Sequence, residues 1–207
     1  HAVDVYDAGT HPGGLLWTGV PDYRLPKNIL DAEIGRLMNM GINFRLNYSV
    51  ADLQEEKENG RFDAVYLSIG AQKIQPESFV NDLSVMITDA FTFFRDSKTN
   101  PSPFMQKKVV VYGGGKLALY LSRMLKRFGS EVTVYFPGDK KMMPAYDYET
   151  EDALAEGVHI HLLKKIDRVE NKQVVLEELQ IEKGKATGTG KMEYAAADVL
   201  IIANRQE

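Results

Sequence analysis

The chain has 207 residues, 44% hydrophobic and 26% charged, with a net charge of −4 and no cysteine. That length suits one large domain or two small ones, and the mild acidity supplies no basic field for capturing nucleic acid. Without cysteine these residues offer no disulfide, thiolate–zinc or iron–sulfur ligation. No apolar run reaches the roughly 18–20 residues of a membrane span, and Asp4 and Asp7 interrupt any signal-peptide pattern, so a cytoplasmic protein with no membrane partner is expected.

In chain order, Ala2 to Tyr6 alternates like a strand from almost the first residue. Asn28 is placed to cap a helix with Leu30, Ile34, Leu37 and Met38 on its apolar face, and Gly41 sits where its C-terminal cap belongs. Phe62 to Gly70 reads as a buried strand ending at a glycine, and Phe91, Phe93 and Phe94 as a core or interface cluster. Ser97 to Pro103, with two prolines, reads as a loop. Lys108 to Tyr112 is a strand followed by three glycines. The helix after it carries Leu117, Leu121, Met124, Leu125 and Phe128 on one face and closes at Gly129. Glu131 to Phe136 is the next strand.

Further on, Glu149, Glu151 and Asp152 mark a solvated helix start favoured by the helix dipole. His159 and His161 alternate on a short strand in structural or surface roles, for want of acidic or thiol partners that would make them a metal pair. A hairpin is expected from Ile166 to Glu170 and Val174 to Glu182, followed by a Gly/Lys/Thr turn at Gly184 to Gly190. Val199 to Ala203 is a continuous apolar run that suits a buried parallel strand. Strands alternating with helices imply an α/β fold with a parallel sheet and right-handed crossovers. Core strands lying flush against both ends are expected of a segment cut from something longer.

The sharpest local signal is Gly113-Gly114-Gly115-Lys116-Leu117-Ala118, which fits G-x-G-x-x-A directly after a strand and opens an amphipathic helix. The first glycine makes the tight turn, and the second of the motif, Gly115, removes the side chain that would keep a pyrophosphate from the backbone. The small Ala118 lets helix and strand pack closely. Free N–H groups and the helix dipole then hold the phosphates; the alternative is a glycine turn packed tightly for structure alone. The ribose 2′ position is normally read at the end of the following strand, by an acid for NAD or a base for NADP. Here Asp139, Lys140 and Lys141 lie just beyond it, so the 2′ group stays open. The two lysines predict weak discrimination, with NADPH favoured over NADH by less than about tenfold. Asp7, at the end of the first strand and ahead of Gly13-Gly14, is a ribose ligand by position or a simple cap or surface carboxylate.

The stretch Asp7-Ala8-Gly9-Thr10-His11-Pro12-Gly13-Gly14-Leu15-Leu16-Trp17-Thr18-Gly19-Val20-Pro21-Asp22-Tyr23-Arg24-Leu25-Pro26-Lys27 resembles the glutamate synthase small subunit and its relatives. Among these are subunits of bifurcating ferredoxin–NADP oxidoreductases and the flavin half of dihydropyrimidine dehydrogenase. Phe62 to Ala71, Met143-Pro144-Ala145 and Glu156-Gly157-Val158 fall in the matching family places, so the resemblance covers essentially the whole chain. It implies a Rossmann-like NAD(P)H-binding domain over 75–203, an incomplete FAD-binding portion over 1–74, and a return toward the FAD domain at 204–207. Asp7 would meet the FAD ribose, Gly13 and Gly14 would pass close to the flavin, and Gly70 would lie beside it. Gly113 to Ala118 would cradle the NADPH pyrophosphate. The implied function is passage of electrons from NAD(P)H through FAD to an iron–sulfur or flavin protein partner, with alignment of nicotinamide against flavin in place of a catalytic side chain.

Three departures qualify the resemblance. The family's first FAD strand with its glycine turn, and its late Gly-Asp stretch, are missing, so the chain alone is expected to hold no flavin. Lys116-Leu117 replace the family's Asn-Thr, and Phe136-Pro137 replace a pair of arginines suited to a 2′-phosphate. These departures favour a rival reading, a degenerate nucleotide-free scaffold or regulatory domain of a multi-subunit oxidoreductase; a plain NAD-binding sensor module is a third.

Overall fold

The computed structural model describes residues 1–70, 77–182 and 184–204. The chain divides into two compact units, His1–Ala71 and Gln72–Glu207. The expected boundary after residue 74 and the family match at Ala71 lie outside the described residues, as does all but Asn204 of the expected return segment.

The first unit holds β1 (Val3–Tyr6), α1 (Leu15–Thr18), α2 (Lys27–Asn39), β2 (Ile42–Arg45) and α3 (Leu53–Gly60), with β1 and β2 paired in parallel. Pro26 is the N-cap of α2 and Asn28 lies inside its first turn, so the expected asparagine cap is corrected. Gly41, at φ +90°, follows the helix as a left-handed C-terminal residue. Of the expected apolar face only Leu30 is buried, while Leu37 and Met38 are exposed. A second correction concerns 62–70, which forms no strand. Tyr66 is 91% and Ile69 72% exposed. A parallel strand exists only through its neighbours, and among the described residues no backbone ladder is offered to this run.

The second unit is built on a five-stranded, wholly parallel sheet. Its strands are β4 (Met86–Asp89), β5 (Lys108–Tyr112), β6 (Glu131–Phe136), β7 (His159–Leu162) and β11 (Val199–Ile202), in the order β4-β11-β5-β6-β7. Alternation sends Val109, Val111, Val132, Val134, Val199 and Ile201 to one face. There they meet Phe93 and Phe94 of α4 (Ala90–Thr99) and Leu121 and Leu125 of α5 (Lys116–Arg127), with α6 (Asp147–Ala155) supplying Ala153. Val110, Tyr112, Tyr135, Leu200 and Ile202 face the other way, onto Ile166, Val169, Val174 and Leu176. Those belong to a second sheet, β10-β9-β8-β3, made of β3 (Val80–Asn81), β8 (Lys164–Glu170), β9 (Gln173–Glu182) and β10 (Lys185–Ala196). The parallel sheet is thus apolar on both faces, the condition that makes its strands read as continuous hydrophobic runs.

Loop assignments fare less well. The expected loop from Ser97 is helical through Thr99, and Pro101 then opens a one-turn helix, Ser102–Phe104, whose Phe104 is buried against Phe93. The hairpin turn between β8 and β9 is Asn171-Lys172, both at positive φ (53° and 59°), the geometry of a two-residue type I′ turn. The Gly/Lys/Thr stretch expected as a turn is the first half of β10; Gly184, at φ +78°, is turn-like, Gly190, at φ +76°, lies at a register shift in the pairing, and Thr187 and Gly188 pair with Gln180 and Leu179.

Candidate functional site

β5 delivers the chain to the C-terminal edge of the parallel sheet, between β11 and β6, where the three glycines stand in different surroundings. Gly113 has φ +148°, and a Cβ there would run into the Ala203 carbonyl. Its N–H donates to the Tyr135 carbonyl at 2.9 Å, tying the turn to β6. A Cβ on Gly114 would come within 2.7 Å of the Phe136 ring, and the Gly114 carbonyl accepts from Ala145 N–H at 3.1 Å. Gly115 is the N-cap of α5, with φ −88° and ψ 173°, and a Cβ there meets nothing within 4 Å. The space in front of the first turn of α5 is therefore open at the backbone itself.

The amide donors of that turn are unclaimed by side chains: nothing caps the helix and no acidic residue lies in its first turn. The first intrahelical bond runs from Leu119 N–H to the Gly115 carbonyl at 3.2 Å, so the amides of Lys116, Leu117 and Ala118 precede the regular ladder. Ala118 is wholly buried and Leu117 packs against the same core, which seats the helix start close to the sheet. The positive end of the helix dipole adds to the donors.

Around this turn stands a rim of aromatic and charged groups. Lys116 is exposed, with Nζ 4.1 Å from the centre of the Tyr146 ring. Tyr146 stacks on Tyr148 with ring centres 5.8 Å apart. The Phe136 ring is held between two backbone segments, since a Cβ on Gly138 would also lie 2.7 Å from it. Asp139 turns its carboxylate to the Met142 N–H at 3.0 Å, capping the short Lys140–Met142 helix. Lys140 pairs with Asp147 at 2.9 Å, and Lys141 is exposed. The structure brings Gly113 to Ala118 and the strand-end loop carrying Lys140 and Lys141 to one edge of the sheet, joined through the Phe136 ring.

Glu149 corrects the sequence reading most sharply. It is not a solvated helix residue but 1% exposed. Its carboxylate accepts from the Tyr120 hydroxyl at 2.8 Å, the Tyr146 N–H at 3.1 Å and the Tyr148 hydroxyl at 3.4 Å. Further along, Arg123 reaches Asp152 at 2.8 Å and Glu156 at 2.6 Å, and Arg127 reaches Glu156 at 2.8 Å. These pairs fasten α5 to α6 and so hold the helix start that faces the open space. The signal available in the sequence is the spacing of Tyr120, Arg123 and Arg127 on one helix against Glu149, Asp152 and Glu156 on the next, each three or four residues apart.

The first unit's candidates are placed separately. Asp7 follows β1; its Oδ1 accepts from Gly9 N–H at 2.7 Å, and its carbonyl accepts from Tyr48 N–H at 3.0 Å. Gly13 has φ +111° and sits against Leu30, while Gly14, at φ +50°, is the N-cap of α1. Gly70 is exposed with φ +70°.

Among the described residues no set of three or more His, Asp or Glu could hold a metal ion. His161 lies 3.8 Å from Glu193, which also accepts from Tyr135 at 2.9 Å and pairs with Lys164 at 2.9 Å. Partial burial pushes the Glu193 carboxyl up, but the bonds from Lys164 and Tyr135 outweigh it and hold the group below the ordinary range. Burial drives the Tyr135 hydroxyl up, helped by Glu193, and burial does the same to Tyr112. No helix among the described residues is long and apolar enough to cross a membrane.

The sequence pattern of the pyridine nucleotide-disulphide oxidoreductases matches residues 52–204. The NADP(+)-dependent formate dehydrogenase subunit beta of Moorella thermoacetica is 32% identical over 168 residues, which cover 79% of this chain and 24% of that one. The NADPH glutamate synthase small chain of Escherichia coli K12 is 30% identical over 167 residues, covering 74% of this chain and 35% of its own length. A 2-naphthoyl-CoA reductase solved with 2-naphthoyl-CoA shares the fold, with a TM-score of 0.74 at 18% identity over 100% of this chain and 30% of that one. The chain spans only about a quarter to a third of the length of these proteins.

Proposed function

The chain belongs to the pyridine nucleotide-disulphide oxidoreductase family, and from that premise we propose that it is the NAD(P)H-binding portion of a flavin-dependent oxidoreductase passing electrons from NAD(P)H through FAD to a partner protein. The observation that carries this reading is the open space over Gly115, bordered by the uncapped amides of a twelve-residue helix. A pyrophosphate is costly to desolvate unless donors replace its water, and this turn offers amides with no side chain in the way.

In this reading Gly113, Gly114, Gly115, Lys116, Leu117 and Ala118 form the cradle for NADP or NAD. Gly113 and Gly114 serve by letting the turn close against Ala203 and Phe136. Lys116 adds a cation at the rim, and Lys140 and Lys141 stand on the loop nearest the ribose. FAD, in the longer protein, would use Asp7, whose Oδ2 suits a ribose hydroxyl, with Gly13, Gly14 and Gly70 lining its course. The bound nicotinamide supplies the hydride; this chain's residues bind and orient it. The partner is an iron–sulfur or flavin protein, and the setting cytoplasmic.

A second reading has its own observation. The Phe136 ring covers Gly114, and Lys116 rests on Tyr146, as a degenerate nucleotide-free scaffold or regulatory domain would allow. Fluorescence titration of the chain with NADPH and NADH separates the two. Saturable binding of one dinucleotide per chain supports the binding reading, whereas no saturation up to about 1 mM, the weak end of ordinary substrate affinities, supports the scaffold.

A further inference from the structure

Phe136 closes β6, paired with Leu162 of β7, at the strand end where a dinucleotide fold reads the ribose 2′ position. Its ring is fixed from two sides. Added Cβ atoms on Gly114 and on Gly138 would each lie 2.7 Å from ring carbons, closer than real contacts allow, so both glycines are needed for the ring to lie where it does. The ring fills the gap between the glycine turn and the strand-end loop with a surface that neither accepts from a hydroxyl nor donates to a phosphate.

The ionic groups beside it are engaged elsewhere. Asp139 caps Met142 N–H, so its carboxylate is turned to its own backbone. Pro137 carries no N–H, and the Gly138 carbonyl accepts from Leu163. Lys140 is held by Asp147, in an exposed pair of small strength. Farther along α5, Arg123 and Arg127 point their guanidinium groups to Asp152 and Glu156, away from the glycine turn. Among the described residues, the cation left near the strand end is Lys141, exposed and acting through a screened field.

We propose that Phe136 is the specificity-determining residue of this site, and that it renders the site indifferent to the 2′-phosphate, so that the ligand class is nicotinamide adenine dinucleotides with or without it. This rests on the nucleotide-binding reading above. An acid at this position would hold the 2′-hydroxyl and repel the phosphate; an arginine would grip the phosphate through its planar fork. The Phe136 ring does neither, and shape is left as the criterion.

The test is titration of the whole chain with NADH, NADPH, 5′-ADP and 2′,5′-ADP, at low and high salt, for the wild type, Phe136→Arg and Phe136→Asp. The wild type is expected to bind NADH and NADPH within about tenfold of each other, with the difference shrinking in high salt. Phe136→Arg is expected to tighten NADPH and 2′,5′-ADP by about tenfold or more while NADH moves by less than about threefold. Phe136→Asp, a smaller side chain that decides the matter if the arginine does not fold, is expected to shift the ratio toward NADH. A wild-type preference beyond about thirtyfold in either direction, or a ratio that neither substitution moves, overturns this assignment alone. Absence of binding by any ligand to any variant overturns it together with the nucleotide-binding reading.

Discussion

Replacing Gly114 with alanine adds one methyl group where the Phe136 ring crosses the glycine turn. The new Cβ would lie 2.7, 2.9 and 3.0 Å from Cδ2, Cγ and Cε2 of the ring, against about 3.5–4.0 Å for comfortable carbon contact. The ring must therefore withdraw by roughly 1 Å. On its far side the ring faces Gly138, placed so close that a Cβ there would lie 2.7 Å from Cε1, which leaves little room for the ring to move that way. Overpacking of this kind costs about 1–3 kcal/mol. Gly114 lies outside the left-handed region, so alanine returns about 0.4–1 kcal/mol by stiffening the unfolded chain. The net loss is about 0.5–2 kcal/mol. With Phe136→Ala in the background the methyl meets no ring, and the same substitution becomes neutral or stabilising. A double-mutant cycle from urea unfolding followed by circular dichroism should give a coupling of about 1–3 kcal/mol. Additivity of the two changes within about 0.5 kcal/mol would show that the ring does not lie against Gly114, and would remove the basis for assigning Phe136 to the 2′ position.

Two further outcomes follow from side chains away from the turn. Glu149→Ala strips the acceptor from the Tyr120 hydroxyl and the Tyr146 N–H in a nearly closed environment; urea unfolding should show a loss of about 2–4 kcal/mol, and a loss below about 1 kcal/mol would contradict the burial. For Glu193 the folded-state value is depressed, so its contribution is complete above the ordinary glutamate range and is lost as pH falls through the lowered value. The melting-temperature gap between wild type and Glu193→Gln should hold steady from neutrality to about pH 5 and close below about pH 4; a gap that widens on acidification would reverse the sign of the argument.

How much of this was legible in the sequence depended on whether a local pattern had one structural meaning. Lys108–Tyr112 and Glu131–Phe136 were readable to the residue, because β-branched runs bounded by glycines and charged residues have no competing helical reading. The α5 face was equally clear: leucines at helical spacing ended at Gly129, which takes φ +79°. The run 62–70 carries the same apolar signal, yet a strand needs a partner edge, and that is a tertiary fact absent from its own residues. Gly184 to Gly190 misled in the opposite direction, since its glycines accommodate a neighbour: the Glu177 side chain lies where a Gly188 Cβ would go, and its Oε1 accepts from Gly190 N–H at 3.2 Å. At the candidate site the glycine motif was visible, but the clamp on Phe136 and the burial of Glu149 were not. Both arise from contacts between segments distant in sequence, and glutamate in a first helical turn is ordinarily solvated.

The most direct test of the nucleotide site is a titration of wild-type chain and Gly115→Val with NADPH, read beside their melting temperatures. Valine fits the extended backbone of Gly115 and meets no neighbour within 4 Å of its Cβ, so the fold should be untouched while the added methyls fill the space over the first amides of α5. The account predicts equal melting temperatures and NADPH binding weakened by about tenfold or more, at least 1.4 kcal/mol. Equal affinity in the two proteins would contradict it, because the dinucleotide would then be held somewhere other than the Gly113–Ala118 turn.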